Sequence, residues 1–123
     1  MAGRRETVLL VDDEALLRMN AADLLEEAGY RVIEAASADE ALRWLELDAS
    51  AVDVLMTDVH MPGSMDGIGL AQEVDRRWPH IRLVVTSARA PMSDDDIPDH
   101  GRFVAKPWSW PAVARALDDA GRG

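Results

Sequence analysis

The chain contains no cysteine, one phenylalanine, one tyrosine, and a single lysine, Lys106, against twelve arginines. Without thiols it has neither disulfides nor thiolate metal ligands, and its redox compartment is left open. Positive charge is scarce overall, with a formal net charge of −10 and a pI near 4.6. That balance argues against a nucleic-acid partner, because phosphate contacts require concentrated cations. Long apolar runs are absent too: Val8 to Val11 stops at Asp12-Asp13, too short for a signal peptide, and no stretch reaches membrane-spanning length. The expectation is a soluble, cytoplasmic protein without membrane contact, although a domain cut from a larger membrane protein would read the same way. What is present, 123 residues with 48% hydrophobic content, suffices for one domain over residues 1–123 with a core from about 6 to 120, and leaves no room for a second.

Short β-branched or leucine-rich runs alternate with longer helical patterns. Five strands are expected, at Thr7 to Val11, Arg31 to Ala35, Val52 to Thr57, Arg82 to Val85 and Arg102 to Ala105. The first helix is predicted from about Ala15 to Ala28, with Leu17, Ala21, Leu24, Leu25 and Ala28 on one face. It has an acidic start suited to the helix dipole and Gly29 as its stop. Ser37-Ala38-Asp39-Glu40 has capping-box spacing ahead of a second helix lined by Ala38, Ala41, Leu42 and Leu45. Asp66 can cap a third, with Met65 and Leu70 as a hydrophobic staple, and Leu70, Ala71, Val74 and Trp78 facing inward until Pro79. A fifth begins near Ser109, where Trp108 and Val113 have staple spacing and Pro111 is tolerated in the first turn. Between Thr86 and Arg102 the pattern degrades, because Pro91 and Pro98 bracket a segment with room for little more than one turn, so the fourth helix is expected to be shortened or irregular. The alternation predicts an α/β fold: a single doubly wound, five-stranded parallel sheet with right-handed crossovers and helices on both faces.

In open parallel sheets, ligands bind beyond the carboxyl ends of the strands, near a topological switch point. Asp12, Asp13, Asp58, Thr86 and Lys106 all fall at such predicted ends. Each has an ordinary reading alone: Asp12 or Asp13 as a helix cap, Asp58 as a turn former before Met61-Pro62-Gly63, Thr86 as a strand-end hydroxyl, Lys106 as a solvated cation. Together they fit phosphoryl transfer to a carboxylate. Three carboxylates and one ammonium sum to minus two, which a divalent cation neutralises, and hard oxygen ligands at an open site favour magnesium. A carboxylate oxygen can attack phosphorus to form an acyl phosphate, with metal, ammonium and hydroxyl stabilising the phosphoryl oxygens.

Leu9-Leu10-Val11-Asp12-Asp13-Glu14, Asp58 with Met61-Pro62 and Asp66-Gly67, Thr86, and Lys106-Pro107 resemble the signature segments of two-component response-regulator receiver domains, and the resemblance spans nearly the whole chain. It implies the strand order 2-1-3-4-5 of the chemotaxis-type receiver fold. It implies that Asp58 is the phosphorylated residue, that Asp13 binds Mg2+ directly and Asp12 mainly through metal-bound water, and that the His60 backbone carbonyl completes a ligand set including Asp58. Thr86 and Lys106 would each contact a phosphoryl oxygen, with the peptide bond to Pro107 cis. Phe103 takes the place of the family's switch aromatic. The expected function is a phosphoacceptor switch fed by a histidine kinase or histidine phosphotransfer protein and acting on a downstream protein target, as a monomer or weak dimer. Its only chemistry would be self-catalysed phosphoryl transfer to Asp58 and slow autodephosphorylation. Only one short helix and Gly121-Arg122-Gly123 follow Lys106, so the expectation is a stand-alone receiver or one cut from a larger chain.

The sequence departs from the family pattern in places. The segment Met61 to Gly67 is one residue longer than usual, Phe103 lacks the hydroxyl of a switch tyrosine, and the irregular fourth-helix region puts dimerisation through that face in doubt. Trp108, Trp110 and the Pro91 to Pro98 segment suggest a partner surface, with Trp108 alternatively a packing staple. The His60 side chain is expected to tune access of water to the acyl phosphate. His80 and His100 have no metal-ligand spacing. The competing function is a phosphorylation-independent interaction module of the same fold. An aspartyl phosphatase would want Asp-x-Asp where this chain has adjacent aspartates, and a flavin or dinucleotide protein would want a glycine-rich loop.

Overall fold

Five short apolar runs pair side by side into one parallel sheet in the order second, first, third, fourth, fifth along the chain, as expected. The computed structural model describes residues 5–88, 101–106 and 108–120. In chain order the elements are β1 (Thr7–Val11), α1 (Ala15–Glu27), β2 (Arg31–Ala35), α2 (Ala38–Asp48), a single 3-10 turn (Ala49–Ala51), β3 (Val54–Asp58), α3 (Gly67–Arg77), β4 (Arg82–Ser87), β5 (Gly101–Ala105) and α4 (Trp110–Asp119). The fourth helix expected between Pro91 and Pro98 lies outside the described residues, and α4 is the helix predicted to begin near Ser109.

Alternation along the strands divides the core. Leu9, Val11, Leu55, Leu83 and Val85 pack under α2 and α3, whereas Val8, Leu10, Val54, Met56 and Val84 pack under α1 and α4. β1 and β3 are buried at every position, as central parallel strands covered on both faces must be.

Local signals set most helix ends. The Ser37 hydroxyl accepts from Glu40 N–H at 3.1 Å, and the Glu40 carboxylate accepts from Ala36 N–H at 2.7 Å, one residue upstream of the reciprocal capping-box bond. Asp66 caps α3 by accepting from Gly69 N–H at 2.9 Å, and Met65 packs on the same core cluster as Leu70. Ser109 caps α4, with Trp108 and Val113 together on the other cluster. Gly29, at φ 102°, ends α1 in the left-handed conformation that glycine adopts without steric cost.

Two expectations about α1 are corrected. Its buried residues are Ala21, Ala22 and Leu25, while Leu17 and Leu24 stay 45% and 37% exposed and Ala28 is exposed. The helix turns its small residues to the sheet, and Leu17 and Leu24 line a cleft instead. Its first turn holds no acidic residue and its N-cap, Glu14, makes no side-chain cap; Asp12 to Glu14 lie ahead of the helix. β3 and β4 also run further than predicted. Their ladder continues through the pair Asp58 and Thr86, so both residues lie inside strands rather than beyond them. At the other end β3 begins two residues later than predicted, at Val54, while Asp53 ahead of it donates its N–H to the Thr7 carbonyl at 2.9 Å and its carboxylate accepts from Thr7 N–H at 2.8 Å.

Candidate functional site

β1 is flanked by β2 and β3, so the chain reverses its direction of sheet growth there and opens a crevice at the strand ends. Asp12 follows β1, Asp58 ends β3, Thr86 lies beside Asp58 in β4, and Lys106 follows β5. A cleft of about 660 Å³ is lined by Asp12, Asp13, Asp58, His60, Thr86 and Lys106. It continues between α1 and the start of α4 as an apolar arm formed by Leu10, Leu17, Ala21, Leu24, Met56 and Trp108.

The carboxylates of Asp12, Asp13 and Asp58 each place an oxygen within 4.8 Å of the others. Asp12 and Asp58 are buried and Asp13 is exposed. Lys106 Nζ donates to Asp12 Oδ2 at 3.1 Å and lies 3.4 Å from Asp58 Oδ2. Its position is fixed by the β4–β5 ladder, since Lys106 N–H donates to the Ser87 carbonyl at 2.8 Å. The second oxygen of Asp12 accepts from Glu14 N–H at 2.9 Å, a local turn that shapes the exit from β1 and uses only one of the carboxylate's oxygens.

The charges are visibly out of balance. Burial pushes the Asp58 carboxyl above its ordinary pKa; the Lys106 ammonium pulls the other way, and the Asp12 charge adds to the rise. Burial lowers the Lys106 pKa, but the hydrogen bond to Asp12 and the charges of Asp12 and Asp58 outweigh it and raise the net value. By formal count one ammonium faces three carboxylates, which leaves negative charge in excess at the crevice. Hard oxygen donors converging on a solvent-accessible crevice, with negative charge in excess, fit a small divalent cation of the magnesium class.

The sequence-predicted residues Asp12, Asp13, Asp58, His60, Thr86 and Lys106 are thus brought together around one cleft. Phe103 is half-buried and packs against the α2/α3-side core, pairing in register with Val85. Trp108 and Trp110 are both half-buried on the α1/α4-side core, and of the two only Trp108 also lines the cleft. His80 is engaged with the Ala49 carbonyl at 3.2 Å and takes no part in the cluster. Pro107, the Pro91 to Pro98 segment and His100 lie outside the described residues. The longer loop after Asp58 places Gly63 at φ 115° and is tied to α2 by Ser64 donating to Asp39 at 3.1 Å.

Three further residues touch the site without having been legible as such. Arg18 donates to the Asp12 carbonyl at 2.7 Å and to Glu34 at 3.0 Å, bracing the end of β1 against β2. Thr57 donates to the Asp58 carbonyl at 3.0 Å, and Gly67 packs against the same peptide. The Arg18 and Gly67 contacts arise from the way the chain folds back, the Thr57 bond reaches only the next residue, and of the three only Gly67, in the Asp66-Gly67 pair, carried any signal in the sequence.

The sheet order and the acidic crevice with its lysine define a class, the doubly wound α/β domains with a charged site at the carboxyl ends of the strands. The chain belongs to the response regulator receiver domain family, whose family model matches residues 8–114. It is 34% identical over 116 residues to the chemotaxis protein CheY of Thermotoga maritima, covering 90% of this chain and 93% of that protein. It is 36% identical over 116 residues to the sensor kinase CckA of Brucella abortus, covering 92% of this chain but only 12% of the kinase. A crystal structure of a response regulator receiver protein from Sinorhizobium medicae superposes with a TM-score of 0.85 at 26% identity, covering 97% of this chain and 96% of that one. The chain spans 22% of the length of each of two further relatives, both transcriptional regulatory proteins. Receiver domains are signalling switches of two-component systems rather than turnover enzymes, and they bind Mg2+ at an acidic pocket. No helix among the described residues is long and apolar enough to cross a membrane.

Proposed function

We propose that this chain is one receiver domain over residues 1–123, with its core from about 6 to 120, whose Asp58 accepts a phosphoryl group from a histidine kinase or histidine phosphotransfer protein. The observation that carries this reading is the Lys106 ammonium held 3.1 Å from Asp12 and 3.4 Å from Asp58, beside the third carboxylate, that of Asp13. Asp12, Asp13, Asp58 and the His60 backbone carbonyl are the groups that would hold Mg2+. When bound, the cation supplies positive charge to the oxygens of the transferring phosphoryl group.

The chain's own residues do the rest. A carboxylate oxygen of Asp58 attacks phosphorus, the bond from phosphorus to the donor imidazole nitrogen breaks, and that nitrogen keeps the electron pair. Lys106, already within reach of Asp58 Oδ2, turns its ammonium to a phosphoryl oxygen, and the Thr86 hydroxyl donates to another. Phe103 lies one strand beyond Thr86, packed on the core, where a shift of the threonine changes its packing. Water later attacks phosphorus and returns the free carboxylate, and the exposed His60 side chain controls how easily that water arrives. The apolar arm from Leu17 and Leu24 to Trp108 gives a partner protein a surface continuous with Asp58, with Trp110 beside Trp108 on the same face.

Intact mass after incubation with acetyl phosphate tests the reading. The expected result is a gain of one phosphoryl group that requires magnesium and is lost in Asp58→Asn. A folded, magnesium-binding chain that gains nothing, with hydrolysis during handling excluded, would favour a phosphorylation-independent interaction module.

A further inference from the structure

The main chain that carries Asp58 is held at three consecutive points. Thr57 Oγ1 donates to the Asp58 carbonyl at 3.0 Å, Val59 N–H donates to the Thr86 carbonyl at 2.9 Å, and Gly67 N–H donates to the Val59 carbonyl at 2.8 Å. The last bond uses one of the N–H groups that the first turn of a helix leaves unpaired. α3 thus begins directly on the peptide that follows the phosphoacceptor.

Gly67 permits that approach by what it lacks. A Cβ there would overlap the Asp58 carbonyl oxygen and lie 2.7 Å from the Asp58 carbonyl carbon and 2.8 Å from Val59 Cα. All are backbone atoms at a buried strand end, with no rotamer to swing away. Gly67 is not among the residues of positive φ, so close packing rather than conformational freedom explains the glycine.

Thr57 is only 1% exposed and is flanked in the sheet by Val11 and Val85. A valine would pack equally well in that company. The hydroxyl is used in the bond to the Asp58 carbonyl.

We infer that Thr57 and Gly67 are positioning residues, a clamp on the Asp58 peptide that aims its carboxylate at the donor phosphorus. This rests on the function proposed above, because aim matters only for a carboxylate that reacts. In-line attack tolerates little error: a displacement of about 1 Å can cost on the order of 100-fold in rate.

The test compares the original chain with Gly67→Ala, Thr57→Val and Thr57→Ser. The rate constant for phosphorylation by acetyl phosphate is measured at saturating magnesium, normalised to the folded fraction, alongside each melting temperature. The clamp predicts a loss of about 100-fold in Gly67→Ala and about tenfold in Thr57→Val, with Thr57→Ser within about twofold of the original. Serine keeps the hydroxyl but loses the buried methyl, so Thr57→Ser should melt lower than Thr57→Val while reacting faster. A merely structural role would rank the rates in the order of the melting temperatures, and that ranking, or equal rates in all four proteins, overturns the clamp. Should Gly67→Ala not fold, the Thr57 pair decides. An original chain that is never phosphorylated overturns the proposed function and the clamp with it, a result distinct from equal rates.

Discussion

The carboxyl of Asp58 is buried although it can carry a charge. The residue is 7% exposed, and its pKa is raised chiefly by burial and further by Asp12, against the pull of Lys106. A raised carboxyl pKa means that the folded state binds the proton more tightly than the unfolded chain does. Stability is therefore lost as pH rises through the carboxylate range, and ionised Asp58 is a cost at neutral pH. Asp58→Asn, which keeps the shape without the charge, should melt higher than the original chain in metal-free buffer at pH 7. For a domain of this size a difference of ~1 kcal/mol appears as a shift of about 4 °C. The difference should shrink as pH falls and Asp58 takes up its proton. It should also shrink when magnesium is added, because the cation stabilises the original chain more than the variant. Calorimetry at two pH values, with and without magnesium, checks all three parts; a variant that melts lower in every condition would mean the buried charge is fully compensated.

At the scale of elements, what was legible is what is local. The Ser37 and Asp66 caps reach only three residues along the chain, so their spacing in the sequence is the geometry itself. Ser37→Ala should cost about 1 kcal/mol in urea unfolding, and an unchanged midpoint would show that the Glu40 bond to Ala36 N–H carries the cap. Leu16→Lys, at a position 77% exposed on α1, should by contrast stay within about 0.5 kcal/mol of the original in the same assay. The inward face of α1 is not legible in the sequence, because leucines occur at 16, 17, 24 and 25 and surround the helix instead of marking one stripe. Only the sheet selects Ala21, Ala22 and Leu25. The ends of β3 and β4 were placed short for a related reason: a polar residue after an apolar run reads as a turn, whereas the pair Asp58 and Thr86 extends the ladder. Arg18 reaching back to the Asp12 carbonyl has no spacing rule that would have predicted it.

The arrangement of the whole molecule was legible in kind but not in order. Alternating strands and helices dictate a parallel sheet covered on both faces, yet only the family resemblance supplied the order that the structure shows. That order decides function, since it sets β1 between β2 and β3 and so brings residues 12, 58 and 106 of the chain to one crevice. A net charge of −10 gives no hint of a site that would receive an anion. Local geometry resolves the contradiction, because the single lysine lies there and the remaining negative charge suits a divalent cation. The central claim is that the phosphoryl group resides on Asp58, and reductive trapping tests it most directly. Borohydride treatment after exposure to acetyl phosphate and magnesium converts a phosphorylated aspartate to homoserine, which peptide mapping locates. The account predicts homoserine at position 58 and at neither 12 nor 13; conversion at another aspartate, with position 58 unchanged, would contradict it.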